Sequence, residues 1–202
     1  LHLARFFISL EHVNCEYLIE YSQFTCSNQK MSSTARHVNE SPVKQQIMDA
    51  AMSRFGYYGY NKTTMVEIAE DVDMSAANLY RYFKNKQQIA AACCERFTDE
   101  RIELIRTAIR QPDLSAEERL RVYIKTSLDH CFEMFSSENK IGELVAHITS
   151  EHPALIHHRI ELLQSLLTEI LAFGNQTGEF DIDDVVAVAE GLHAAMVVFE
   201  VP

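Results

Sequence analysis

Apolar side chains recur along this chain at helical spacing almost from end to end. After Ser41-Pro42, a helix-start pair, Val43, Ile47, Ala51 and Phe55 return every four residues, and Gly56 or Gly59 is placed to end the helix they define. Met65, Ile68, Ala69 and Val72 fall at i, i+3, i+4 and i+7, one stripe on a short helix. Leu79 and Phe83, four apart, mark the buried side of the next, which is expected to run from Ser75 roughly to Phe83. A long helix starts at Lys86, carries Ile89, Cys93, Phe97, Leu104, Ile105 and Ile109 inward, and should reach Gln111 before Pro112 stops it. The following helix presents Leu120, Tyr123, Ile124, Ser127, Leu128, Cys131, Phe132 and Phe135; a shorter one covers Ile141 to Ser150. Pro153 opens another through Leu155, Ile160, Leu163, Leu166, Leu167 and Leu171, ending at Gly174 before a GNQTGEF loop. Asp181 or Asp183 then caps a last helix, VVAVAEGLHAAMVVFE, whose small residues suit close approach of a partner helix. No stretch alternates as a strand does and nothing repeats, so the fold class is all-α.

The junctions carry more information than the stripes. Thr64 and Glu67 have capping-box spacing, Asp73 is a turn residue that tolerates left-handed backbone, and Ser75 is a good N-cap. Asn85 with Gln88, and Ser115 with Glu118, repeat the capping arrangement. Residues 63–86 therefore read as two short helices about a tight turn, the second showing Asn78, Tyr80, Arg81 and Tyr82 outward. That is the form of a helix-turn-helix, whose second helix enters the DNA major groove and meets base edges and phosphates.

Here the residues also resemble a known family. IAEDVDMSAANLYRYFKNK is similar to the DNA-binding signature of the tetracycline-repressor (TetR) family, I-A-x-x-x-G-V-S-x-x-x-L-Y-x-x-F-x-x-K. Ile68, Ala69, Ser75, Leu79, Tyr80, Phe83 and Lys86 match; Asp73 stands in place of Gly and Met74 in place of Val. The resemblance covers about residues 43–97. It implies a helix-turn-helix DNA-binding domain over 41–86 and a helical effector-binding and dimerisation domain over 87–202, with the helix from Lys86 as the lever between them. It implies a homodimeric repressor of a pseudo-palindromic double-stranded operator, relieved by a small-molecule effector. By position, Thr64 and Lys86 become phosphate ligands, Tyr80 and Tyr82 phosphate or sugar contacts, and Lys84 a further DNA contact. Ala76, Ala77, Asn78 and Arg81 sit where the family reads bases; Asn suits adenine and Arg guanine. Phe97, Tyr123, Ser127, Cys131, His147 and His193 are the expected effector-site residues, with Phe132, Met134, Phe135 and Met196 as core. A further helix after Val201-Pro202, pairing with the last one in the dimer, is also implied, so the chain is expected to be truncated there.

Composition narrows the alternatives. The formal charge of −11 argues against indiscriminate nucleic-acid binding, yet Lys44, Lys62, Arg81, Lys84 and Lys86 fall in or beside the proposed reading unit. No apolar run approaches the roughly 20 residues that span a bilayer. Five cysteines (Cys15, Cys26, Cys93, Cys94, Cys131) show no C-x-x-C spacing, which fits a reducing cytoplasm. Residues 1–30 lack the marks of a signal peptide; Met31, followed by the polar arm SSTARHVNES, is expected to be the biological start, the alternative being a real N-terminal helix. Glu143, His147 and Glu151 lie four apart, and His130, His157, His158 and His193 lie on other helices, but no metal-site spacing or catalytic motif links them. No cofactor, metal or enzymatic activity is therefore expected. The rival readings are a regulator-like protein acting through protein contacts alone and a His-rich helical metal-binding enzyme.

Overall fold

The start of the first helix shows how little its cap residue has to do. Pro42 presets the backbone at the first helical position, and the Ser41 carbonyl, rather than its hydroxyl, takes the N–H groups of Lys44 (2.8 Å) and Gln45 (3.3 Å). The computed structural model describes residues 41–134 and 140–200, and among them there are eight helices and no strand. They are α1 (Pro42–Tyr58), α2 (Met65–Asp71), α3 (Ala76–Leu79), α4 (Lys86–Ile109), α5 (Ala116–Met134), α6 (Ile141–Glu151), α7 (Pro153–Thr177) and α8 (Val185–Glu200). All belong to one compact unit, Ala35–Pro202. The expectations placed on residues 1–40, on the Met134 side chain, on Phe135 and on the Val201-Pro202 terminus lie outside what is described.

One core is built where α1, α2, α3, the first turns of α4, and α6 meet. Ile47, Met48, Ala51 and Phe55 of α1 pack with Ile68 and Ala69 of α2, Leu79, Phe83, Ile89 and Cys93. Ile141, Leu144 and Ile148 of α6 close the same cluster. The reading head is thus not sealed by its own three helices; α6, far away in sequence, supplies one wall. The second core lies along α4, α5, α7 and α8, with Ile105, Ile109, Leu120, Tyr123, Leu163, Leu167, Ile170 and Ala189 buried in it. Burying such side chains contributes roughly 1.5–3 kcal/mol each, before the entropy of ordering them is subtracted.

Several boundaries differ from expectation, each for a local reason. Helix α3 is a single turn: beyond Leu79 the backbone tightens, with Arg81 N bonded to Asn78 O and Tyr82 N to Leu79 O, three residues back. Leu79 and Phe83 are nevertheless both buried. Helix α4 ends at Ile109, not Gln111: Pro112 offers no N–H to it and disfavours helical backbone at Gln111, and the Arg119 guanidinium takes the freed carbonyls of Ile109 (2.7 Å) and Gln111 (3.2 Å). Leu104 and Phe132, expected in the core, are 51 % and 81 % exposed; Ile105 and Cys131, one position away on the turn, take the inward places. Helix α7 runs through Gly174 to Thr177 and is capped by Gly178 at φ +74°, so GNQTGEF is mostly helix. Gly174 is buried because the Phe180 ring folds back over it, leaving no room for a Cβ. Helix α8 is capped by neither Asp181 nor Asp183 but by Asp184, which accepts from Val186 N and Ala187 N.

Candidate nucleic-acid interface

The geometry of residues 59–86 follows from four capping devices. Gly59 ends α1 at φ +94°, ψ 152°, a region open essentially to glycine alone. Thr64 caps α2 in a complete capping box: Glu67 N bonds Thr64 Oγ1 (3.3 Å) and Thr64 N bonds Glu67 Oε2 (2.8 Å). These bonds to the Thr64 hydroxyl and amide hold the Glu67 carboxyl below the usual carboxylate range. Helix α2 then ends in a left-handed turn, with Met74 N bonded to Ala69 O and Asp73 N to Glu70 O, and Asp73 at φ +52°. Ser75 Oγ accepts from Asn78 N (3.2 Å) and starts α3; Asn85 Oδ1 accepts from Gln88 N (2.8 Å) and starts α4.

Around that frame Arg54 braces α1 to α2. Its guanidinium forms a bidentate pair with Asp71 and lies 3.5 Å from Glu67, which lowers the Asp71 pKa and raises its own. Two of the head's acidic residues are therefore neutralised internally. Lys62, Arg81 and Lys84 are exposed and have no ion-pair partner among the described residues. Tyr80 is 50 % exposed and Ala77 and Thr64 are also at the surface; Ala76, Asn78 and Tyr82 are half-buried. The turn of α3 and the loop to α4 thus present phenol and cationic groups to solvent beside the half-buried Asn78 amide.

Two expected phosphate ligands are already engaged. The Thr64 hydroxyl donates to Glu67 Oε2 at 2.8 Å, so a phosphate there must displace the carboxylate. The Lys86 ammonium donates to Tyr60 O (2.6 Å) and Thr63 O (2.9 Å) and lies 4.3 Å from the centre of the Tyr60 ring. Burial lowers its pKa, against the opposing pull of Glu143 and Glu67.

The expected effector residues divide. Phe97 stacks on His130, ring centres 4.4 Å apart. Tyr123 is fully buried and donates to Leu163 O (3.2 Å); Ser127, Cys131 and His193 are buried in the same helical layer system. His147 does not join them: it sits on α6 against the reading head, sharing a 2.9 Å hydrogen bond and a 4.3 Å ring stack with Tyr60. Its neighbour Glu143 accepts from Asn61 N (3.1 Å). Among the described residues no three His, Cys, Asp or Glu side chains gather as a metal site would require. Sequence reasoning missed two residues of this layer: His130, weighed only as a metal ligand, and Arg101. His130 lies three residues after Ser127, and its pKa falls to about 4 through burial and the nearby Arg101 charge. Arg101, only 1 % exposed, lies one helical turn after Phe97; a charge at that place in the stripe was the available signal.

A three-helix head with capped α2 and α3, carried on a helical body, defines a helix-turn-helix regulator. Residues 47–93 match the model for bacterial regulatory proteins of the tetR family, and residues 116–202 match the tetracycline repressor-like C-terminal domain. The chain belongs to the TetR family. It is similar to YvkB of Bacillus subtilis, an uncharacterised HTH-type transcriptional regulator, at 40% identity over 60 residues, a match spanning 30% of this chain and 32% of that one. Its fold is similar to that of a transcriptional regulator from Cytophaga hutchinsonii (TM-score 0.67, 25% identity, 78% of this chain and 80% of that one). It is also similar to that of FadR from Bacillus subtilis, solved with stearoyl-CoA (TM-score 0.57, 23% identity, 75% and 81% covered).

Proposed function

We propose that the chain is a sequence-specific DNA-binding transcriptional regulator, a ligand-relieved repressor that binds a pseudo-palindromic operator as a homodimer in the cytoplasm. The observation that supports this reading is the exposure of Tyr80, Arg81 and Lys84 beside the half-buried Asn78 on the α3 turn and the loop after it, with both cations lacking an ion-pair partner among the described residues on a chain of net charge −11. Ala76, Ala77, Asn78 and Arg81 read bases; Tyr80, Tyr82 and Lys84 contact the backbone, and Thr64 joins them where a phosphate displaces the Glu67 carboxylate from its hydroxyl. Residues 41–86 act as the reading domain and 87–202 as the sensing and pairing domain. In support of pairing, α8 leaves Val186, Gly191, Ala194 and Val197 exposed, small and apolar side chains interrupted on that face by Glu190. In support of sensing, the Ser127 hydroxyl and His130 Nδ1 are buried on α5 with no hydrogen-bond partner among the described residues, polar groups that a small effector can satisfy. The role is regulatory rather than catalytic.

Gel-shift titration tests the surface. Tyr80→Ala is expected to weaken binding to all duplexes, and Asn78→Ala to relax choice at one base pair by roughly 1–3 kcal/mol. Undiminished affinity and unchanged choice in both variants would refute the assignment.

A further inference from the structure

We infer that Lys86 is a positioning residue for DNA binding and not a phosphate ligand: its ammonium clamps the connector Gly59–Thr63 and so fixes where α2 and the recognition turn begin. The connector is five residues long and is followed at once by Thr64, the cap of α2. It is closed by two crossbars. Thr63 is 2 % exposed, and its Oγ1 donates to Gly59 O at 2.9 Å. The Lys86 ammonium, reaching back from the first residue of α4, joins Tyr60 O and Thr63 O and covers the Tyr60 ring. Two of its three N–H donors are thereby spent on carbonyls, and turning outward to a phosphate would leave both carbonyls without them.

The far side of the connector is held as well. Tyr60, 4 % exposed, packs edge-on to Phe55 and stacks on His147, and Asn61 N donates to Glu143. The clamp therefore grips a segment already wedged between α1 and α6. Without it the start of α2 shifts relative to α4, and with it the α3 turn between them. Lys84, two residues earlier, is exposed and has no ion-pair partner among the described residues, so the cation at this junction that is free to meet phosphate is Lys84.

This inference rests on the DNA-binding reading above, and the test separates the two. Binding of the whole chain to a mixed-sequence duplex is titrated across salt concentrations for wild type, Lys86→Met and Lys84→Met. Removing one phosphate-binding cation from each head of a dimer makes the slope of log K against log salt shallower by roughly 1.8, whereas removing a positioning clamp weakens binding and leaves the slope unchanged. The expected result is roughly tenfold weaker binding with the wild-type slope for Lys86→Met, and a shallower slope for Lys84→Met. A shallower slope for Lys86→Met, or unchanged affinity with only lower thermal stability, overturns the inference. Wild-type protein supplies a second measurement that needs no variant to fold. The Lys86 ammonium protons, held by two carbonyls, should give an NMR signal in the free protein that persists unshifted when duplex is added. A signal that appears only with duplex also overturns it. Wild-type protein that binds no duplex would instead defeat the DNA-binding reading, while the free-protein signal still judges the clamp.

Discussion

Asp73 offers the sharpest test of the turn that joins α2 to α3. It occupies the left-handed position, φ +52°, after the helix cap at Val72, and the two bonds from Asp73 N and Met74 N to Glu70 O and Ala69 O require that conformation. A residue with a Cβ gives up about 1–2 kcal/mol there relative to the right-handed region, of which Asp recovers part through local hydrogen bonding. Glycine avoids that cost but gives a freer unfolded chain, which offsets about 0.4–1 kcal/mol. Asp73→Gly should therefore be neutral to about 1 kcal/mol more stable than wild type, and Asp73→Ala about 1 kcal/mol less stable. Urea unfolding of the three proteins, with slopes compared to confirm a common transition, reads the differences directly. Asp73 is also exposed beside the recognition turn, so both substitutions remove a like charge facing phosphate and should tighten duplex binding at low salt. If Ala proves as stable as Gly at this position, the turn does not hold the left-handed geometry and the placement of α3 against α2 is wrong.

The remaining predictions probe the body. A Cβ at Gly174 would lie 2.1 Å from the Phe180 ring, so Gly174→Ala should cost about 1–3 kcal/mol by overpacking; in a Phe180→Ala background the same change should instead gain up to about 1 kcal/mol of helix propensity. Reduced stability in both backgrounds would contradict the packing. His130 titrates at about 4 in the folded chain against 6.5 as an ordinary histidine, so the unfolded chain takes up the proton first as pH falls. Its contribution is complete above 6.5 and is lost as pH drops towards 4, worth at most about 3 kcal/mol and roughly half that after allowing for its partial exposure. His130→Phe, which keeps a ring against Phe97, should lose less stability than wild type between about pH 7 and about pH 4.5 by urea unfolding; equal losses would remove His130 as the cause.

The parts legible in sequence were those set by local chemistry. The Thr64–Glu67, Ser75, Asn85–Gln88 and Ser115–Glu118 caps all form, since each needs only a side chain within one turn of its target. Ile47, Ile68, Leu79 and Ile89 are buried as their spacing implies. What periodicity could not supply was the tertiary context. Gly174 looked like a stop but is a seat for Phe180, and Lys86 looked like a surface cation but is folded back onto the connector. His147 matched a sensing-domain residue by helix position, yet α6 packs against the head, so its imidazole meets Tyr60. Arg101 was passed over because a charge on a core stripe contradicts the pattern used to find the core. Each of these depends on packing between residues far apart in the chain, which no window of neighbouring positions contains.

The most direct measurement is selection of bound duplexes from a random pool by the whole chain at moderate ionic strength. The predicted result is enrichment of two inverted half-sites separated by about one helical turn of DNA, with Asn78→Ala relaxing the same position in both halves. A pool that shows no preferred sequence, or binding whose choice is untouched by changes at Asn78 and Arg81, would contradict it.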